Sequence, residues 1–243
     1  MNPTITVLLY SSIAAAAAAL GVVPLLFRRR LPELWVAWAS AMAAGLMLGA
    51  AFVLFPVGIG SRPLGRAIGA LLGILFINWT HAVTDTEEID LSRQDDQSPA
   101  YGYKVLLIHM LHAGSEGIAI AVAMVASLPV GIFTAVAIAA HNIPESTMLC
   151  SVLNGRGVRL REASGLAVAT NLTQVLLAVS IFAIVTASPG VFPWMVGFAV
   201  GALVNLVMIE LLPACYGRAG TTGIAVVTSV AMGILVLIRG FLP

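Results

Sequence analysis

Residues 104–149 read KVLLIHMLHAGSEGIAIAVAMVASLPVGIFTAVAIAAHNIPESTML. Two apolar runs, each long enough to cross a hydrocarbon core of about 30 Å, meet at a tight turn around Ser127 and Pro129, which makes them antiparallel neighbours. Inside the first run stand His112 and Glu116, and inside the second His141 and Glu145. In a helix, residues four apart share a face, so each copy of His-x-x-x-Glu points an imidazole and a carboxylate the same way. An ionisable group at mid-membrane costs roughly 2.5–3.5 kcal/mol on insertion scales, so such groups mark ion paths or sites. Two pairs turned toward one another would offer a metal four ligands.

The rest of the chain has the same character. Of its 243 residues 60% are hydrophobic and 9% charged, and the mean hydropathy is +1.01, which excludes a soluble globular domain and predicts an all-α integral membrane protein. Cuts at charged and Pro/Gly clusters give eight spans, at about 4–27, 35–58, 64–84, 104–127, 129–153, 163–187, 191–213 and 220–241, in one transmembrane domain. The first span is not a signal peptide, because it is too long and its arginine triplet follows it. Arg28, Arg29, Arg30, Arg93, Lys104, Arg156, Arg159, Arg161 and Arg218 fall on one side, and Arg62, Arg66 and Arg239 on the other. The positive-inside rule then puts both termini outside and the acidic loop 85–103 in the cytoplasm. That loop reads as a solvated linker, or as an attractor of cations at the exit. Cys150 and Cys215 lie in or beside apolar segments, where packing is their expected role.

Depth decides whether the polar residues meet. At 1.5 Å per residue, Glu116 lies roughly 18 Å from the cytoplasmic end of its span, Glu145 roughly 13 Å, His112 roughly 12 Å and His141 roughly 19 Å. Gln174, on the sixth span, lies roughly 16 Å in. Pro144 frees the carbonyl of Ala140 beside these groups and bends the helix. Asn142 and Gln174 are either neutral ligands or interhelical hydrogen-bond partners. His109, one turn below His112, is either a stepping ligand or simply hydrogen-bonded. Intrahelical ion pairs that staple the bundle are the plain alternative for the four central residues.

HNIPES at 141–146 resembles the His-Asn-x-Pro-Glu-Gly signature of the ZIP family of divalent metal transporters, departing only at Ser146. LHAGSEG at 111–117 resembles its partner signature, with Ala113 where asparagine is common and Ser115 where proline or a polar residue is usual. GALVNLVMIELLP at 201–213 resembles a third stretch, in which an acidic residue, here Glu210, stands three before a proline. The resemblance implies a ZIP-like bundle of the prokaryotic branch, in the bacterial inner membrane, with a metal site built from His112, Glu116, His141, Asn142 and Glu145. It also implies a transport bundle of spans 1, 4, 5 and 6 sliding against a scaffold of spans 2, 3, 7 and 8, and brings a homodimer as an expectation.

Many prokaryotic members complete a second ion position with an asparagine and a glutamate. Ala113 and Gln174 stand at those positions here, so one dominant ion is expected, with a weak second ion on Asn142, Gln174 and the shared glutamates as the alternative. Glu210 is expected near the cytoplasmic mouth, where the family's acidic residue helps release the metal. His81 and Asp85, four apart at the inner end of span 3, are weaker exit candidates.

Two imidazoles and two carboxylates suit zinc, and also iron, manganese, cobalt or cadmium. The metal is expected as cargo, with no resident cofactor. Lipid is the other expected partner, and nucleic acid is not. Two other classes would use the same ligands: an intramembrane zinc metalloenzyme, although the H-E-x-x-H pattern is absent, and a metal-binding sensor without flux.

Overall fold

Each apolar segment folds into one long helix, with breaks where proline or a polar residue disturbs the backbone ladder. The computed structural model describes residues 2–28, 31–57, 62–84 and 99–241, and among these residues there is no strand. The helices are α1 (Pro3–Phe27), α2 (Glu33–Leu54), α3 (Pro63–Thr84), α4 (Pro99–Ala126), α5 (Leu128–Gly155), α6 (Leu160–Ala187), α7 (Pro189–Ala219) and α8 (Thr221–Gly240). Seven are apolar and long enough to cross a membrane; α5 falls outside that group. The reason lies in its own sequence, since His141, Asn142, Pro144 and Glu145 dilute its hydropathy, and all four are buried among the other helices.

The outer faces are oily. Leu64, Leu72, Leu176, Val230 and Leu237 are all exposed, an arrangement that needs hydrocarbon around it. This is an all-α membrane protein.

Local signals set the helix ends. Asn2 Oδ1 accepts from the Thr4 amide at 2.9 Å ahead of Pro3, and Ser127 Oγ accepts from the Val130 amide at 3.3 Å ahead of Pro129. Ser127 alone separates α4 from α5, so the expected tight antiparallel turn is present. Gly220, at φ 73°, supplies the left-handed residue that turns α7 into α8. Inside α1 the turn Ala18–Val22 tightens to 3-10 geometry just before Pro24. Inside α7 the stretch Val207–Leu211 widens into a π turn just before Pro213, whose ring and missing amide disturb the regular ladder.

Two boundaries differ from the sequence reading by five residues or more. Helix α7 continues to Ala219 instead of ending near 213, because Pro213 loosens the helix without stopping it. Residues 99–103, expected in the cytoplasmic loop, open α4. The remainder of that loop, 85–98, with Asp85 and Arg93, lies outside the described residues, as do Arg29 and Arg30.

The helices sort into two groups by how they pack. Helix α3 lies along α7 through reciprocal glycines. A Cβ on Gly65 would meet the Trp194 indole at 2.9 Å, those on Gly69 and Gly73 would run into the Trp194 and Phe198 carbonyls, and those on Gly197 and Gly201 into the Arg66 and Ala70 carbonyls. Helix α2 packs on α8 in the same way, with Gly45 against Ala231 and Gly49 against Leu235. The other group joins α1, α4, α5 and α6, with Gly117 against the Gln174 backbone and Gly21 so close to Ser146 that a Cβ there would stand 2.6 Å from the Ser146 backbone. Small residues permit these approaches, which bring backbones into van der Waals contact. Contacts of α5 with α2 and of α4 with α7 and α3 join the groups, one of them placing Ser40 Oγ 2.8 Å from Met148 Sδ.

Candidate metal site

Helices α4 and α5 are antiparallel, so one turn forward on α5, from His141 to Glu145, corresponds to a step backward on α4, from Glu116 toward His112 and His109. Their facing sides therefore carry a ladder of alternating imidazoles and carboxylates. At its upper level His141 Nε2 stands 3.2 Å from Glu116 Oε1 and 3.4 Å from Glu145 Oε2. At the next, His109 Nδ1 stands 3.3 Å from Glu145 Oε1. Glu116 is 0% exposed, His141 1% and Glu145 7%, so all are turned away from lipid.

One donor atom each from Glu116, His141 and Glu145 lies within 4.8 Å of the other two. A tetrahedral ion with bonds of about 2.0–2.1 Å holds its ligand atoms roughly 3.3–3.4 Å apart. The two distances at His141 Nε2, 3.2 and 3.4 Å, match that spacing. Both Glu116 carboxylate oxygens and both His141 ring nitrogens are buried without a well-formed hydrogen bond. Buried polar atoms without partners are costly, and a cation among them removes that cost. A set of two carboxylates and one imidazole, with a coordination position left over, suits a first-row dication that must later leave.

His112 does not join this triangle. Its Nδ1 faces Glu210 Oε2 at 3.5 Å, and His81 Nε2 reaches the same oxygen at 3.2 Å, so His81, His112 and Glu210 form a second group from α3, α4 and α7. Two sequence expectations change accordingly. The four-ligand set divides between two groups, because α4 also faces α7 and the carboxylate of Glu210 takes His112. Glu210 is not one turn from the end of its helix; it is buried, 4% exposed, two turns inside α7 in the π stretch. His81 finds its partners on other helices, whereas Asp85 is outside the described residues.

Asn142 and Gln174 are hydrogen-bonded to each other and to the first helix. Asn142 Nδ2 donates to Gln174 Oε1 at 3.1 Å and to the Ala14 carbonyl at 2.9 Å, and Gln174 Nε2 donates to the Ser11 carbonyl at 3.3 Å. The amides thus tie α1, α5 and α6 together beside the carboxylates, with Asn142 Oδ1 left unpartnered. Cys150 and Cys215 are buried, belong to no disulfide among the described residues, and pack with apolar neighbours, as expected.

Sequence reasoning underrated His109 and His81. The His109-x-x-His112 spacing places both rings on one face of α4, a readable signal. For His81 the only local cue was Asp85; its contacts with His112 and Glu210 join three helices and leave no trace in any one segment.

No family model matches the chain. A protein of Arabidopsis thaliana provisionally named a zinc transporter is 32% identical over 232 residues, 93% of this chain and 37% of that protein. The zinc transporter GufA of Myxococcus xanthus is 26% identical over 171 residues, 68% of this chain and 67% of GufA. With both signatures on facing helices and relatives named zinc transporters, the chain resembles the ZIP family. It spans little more than a third of the length of the Arabidopsis relative and two thirds of GufA.

Proposed function

We propose that the chain carries a divalent transition metal, zinc foremost, across the membrane into the cytoplasm, with the ion held at half depth by Glu116, His141 and Glu145. The observation that carries this reading is the convergence of those three buried donors at ligand-to-ligand distances of 3.2 and 3.4 Å. The zinc transporters it resembles support the same cargo. Iron, manganese, cobalt and cadmium fit the oxygen and nitrogen donors as well. The membrane is a cell membrane, read as the bacterial inner one, with both termini outside. The hydrogen-bonded Asn142–Gln174 pair fills the flank of the site with neutral groups, which favours one ion there over a binuclear centre.

The three donors all ride on α4 and α5, so the ion and its ligands move as a unit. Alternating access then takes the form of α1, α4, α5 and α6 sliding against α2, α3, α7 and α8, the two groups into which the helices already pack. A homodimer through the second group is part of the same proposal.

The test is zinc entry into liposomes that hold the purified chain and a trapped zinc dye. Dye signal that rises with external zinc is the expected result. Binding without signal would favour a sensor, and zinc-dependent hydrolysis without signal an enzyme.

Uptake is also expected to depend on pH. Imidazole binds metal only when neutral, so acid competes with zinc at His141. Uptake should be steady above the ordinary histidine pKa of about 6.5 and fall as the pH drops through it. Initial rates measured across that range, with no pH gradient, check this; a flat profile would count against histidine ligation.

A further inference from the structure

We propose that a cleft between α1, α2 and α5 holds one anionic phospholipid, with part of an acyl chain inside it and the phosphate at Arg28. The cleft has a volume of about 220 Å³ and is walled by Pro24 of α1, by Trp35, Ala39 and Met42 of α2, and by Pro144 and Thr147 of α5. It is apolar for a structural reason. Pro144 has no amide, and the Thr147 hydroxyl donates to the Ile143 carbonyl of its own helix at 2.9 Å, so neither presents a free donor. An apolar cavity of about 150 Å³ stays dry and takes up benzene, so this one has room for several methylenes and no partners for water. Trp35 is 55% exposed and Met42 42%, so the cleft is reached from the lipid-facing side of α2.

The charge at its end selects the lipid. Arg28 follows the last turn of α1, its amide donating to the Pro24 carbonyl at 3.2 Å, and its guanidinium lies 5.5 Å from the centroid of the Trp35 ring. Two residues that wall the cleft thus hold Arg28 beside it. The side chain is exposed, and among the described residues no carboxylate pairs with it. A cation where an apolar groove and a membrane helix both end meets the phosphate of a lipid whose chains lie along the helices. The forked donors of guanidinium fit phosphate oxygens. A lipid with net negative charge is favoured over a zwitterionic one, whose ammonium group offsets the attraction.

The cleft also lies on the seam between the two groups of helices. Its α5 wall belongs to the same turns that carry His141 and Glu145, whereas Trp35, Ala39 and Met42 belong to α2, in the other group. A slide of α5 along α2 would part these walls, so a lipid that fits them stabilises the present arrangement over the next. Bound lipid therefore holds the halves together and slows zinc entry. That consequence rests on the transport reading above, whereas the site rests on the cleft and Arg28 alone.

The test uses the full chain, purified in detergent, and two probes with identical acyl chains, phosphatidylglycerol and phosphatidylcholine, whose retention per chain is counted by native mass spectrometry. The native chain is expected to retain one phosphatidylglycerol in preference to phosphatidylcholine. Arg28→Gln is expected to weaken phosphatidylglycerol about fivefold and leave phosphatidylcholine unchanged. Arg28→Lys should keep the preference, and Ala39→Leu, which fills the cleft, should lower retention of both lipids while eluting as the native chain does. In liposomes, phosphatidylglycerol added to phosphatidylcholine should slow zinc entry through the native chain more than through Arg28→Gln, a comparison in which the shared surface charge cancels. Equal retention of the two lipids by the native chain, or an unchanged preference in Arg28→Gln, would overturn the site. The expected retention with the same response of zinc entry in both chains would overturn the hold on the slide. The expected retention in a native chain that shows no zinc entry would sink the transport reading and leave the site standing.

Discussion

Glu145→Ala is expected to lower zinc uptake by on the order of 100-fold or more while leaving the fold in place. Glu145 lies within 3.4 Å of His141 through one oxygen and 3.3 Å of His109 through the other, so it is the only carboxylate shared by both levels of the α4–α5 ladder. Alanine leaves Glu116 and His141, too few donors to hold a dication against hydration. The same substitution separates a metal site from a structural staple. If the carboxylate served chiefly to pair buried imidazolium groups, its loss would strand charge and cost about 3–5 kcal/mol. If it serves the ion, the imidazoles can remain neutral and the metal-free protein should unfold at nearly the native temperature. Zinc should then discriminate the two chains. A ligand at 100 times its Kd stabilises a native state by about 2.7 kcal/mol. That gain should appear in the native chain's unfolding temperature and shrink in Glu145→Ala.

The second large effect concerns packing. Gly69→Ala or Gly201→Ala would drive a Cβ into a carbonyl of the facing helix, Trp194 or Ala70, and backbone cannot step aside as a flexible side chain can. Each is expected to cost about 1–3 kcal/mol by overpacking and to loosen the hold of α3 on α7. Gly165, Gly223 and Gly233 are the controls, because a Cβ there meets nothing within 4 Å. Alanine at those positions should be neutral or slightly stabilising, since it removes conformational freedom from the unfolded chain and improves helix propensity. Unfolding temperatures of the five variants in detergent check the contrast. Equal losses at all five would mean that the α3–α7 glycines are not close-packed.

The eight apolar segments were legible in the sequence because each helix must satisfy its own backbone in lipid, a requirement that stamps length and hydropathy on every span. The turn at Ser127 and the carboxylates of Glu116 and Glu145 were legible for a related reason: each is encoded within a single helix or the link between two. Pro213 was misread as a stop because proline breaks a helix only when the surrounding backbone cannot adapt, and here the π turn at Val207–Leu211 absorbs it. The division of ligands was not legible. His112 shares a face with Glu116, and from α4 alone nothing indicates that Glu210, almost a hundred residues on, will claim it. Gln174 could be read as polar and deep; that it donates to Ser11 and accepts from Asn142 depends on how α1 lies against α5 and α6.

The most direct measurement is anomalous scattering at the zinc edge from crystals of the chain soaked in zinc. The account predicts a peak in coordination contact with Glu116, His141 and Glu145, about 2.0–2.2 Å from their donor atoms. A well-ordered crystal with no peak among those three residues, under conditions where the chain binds zinc in solution, would contradict it.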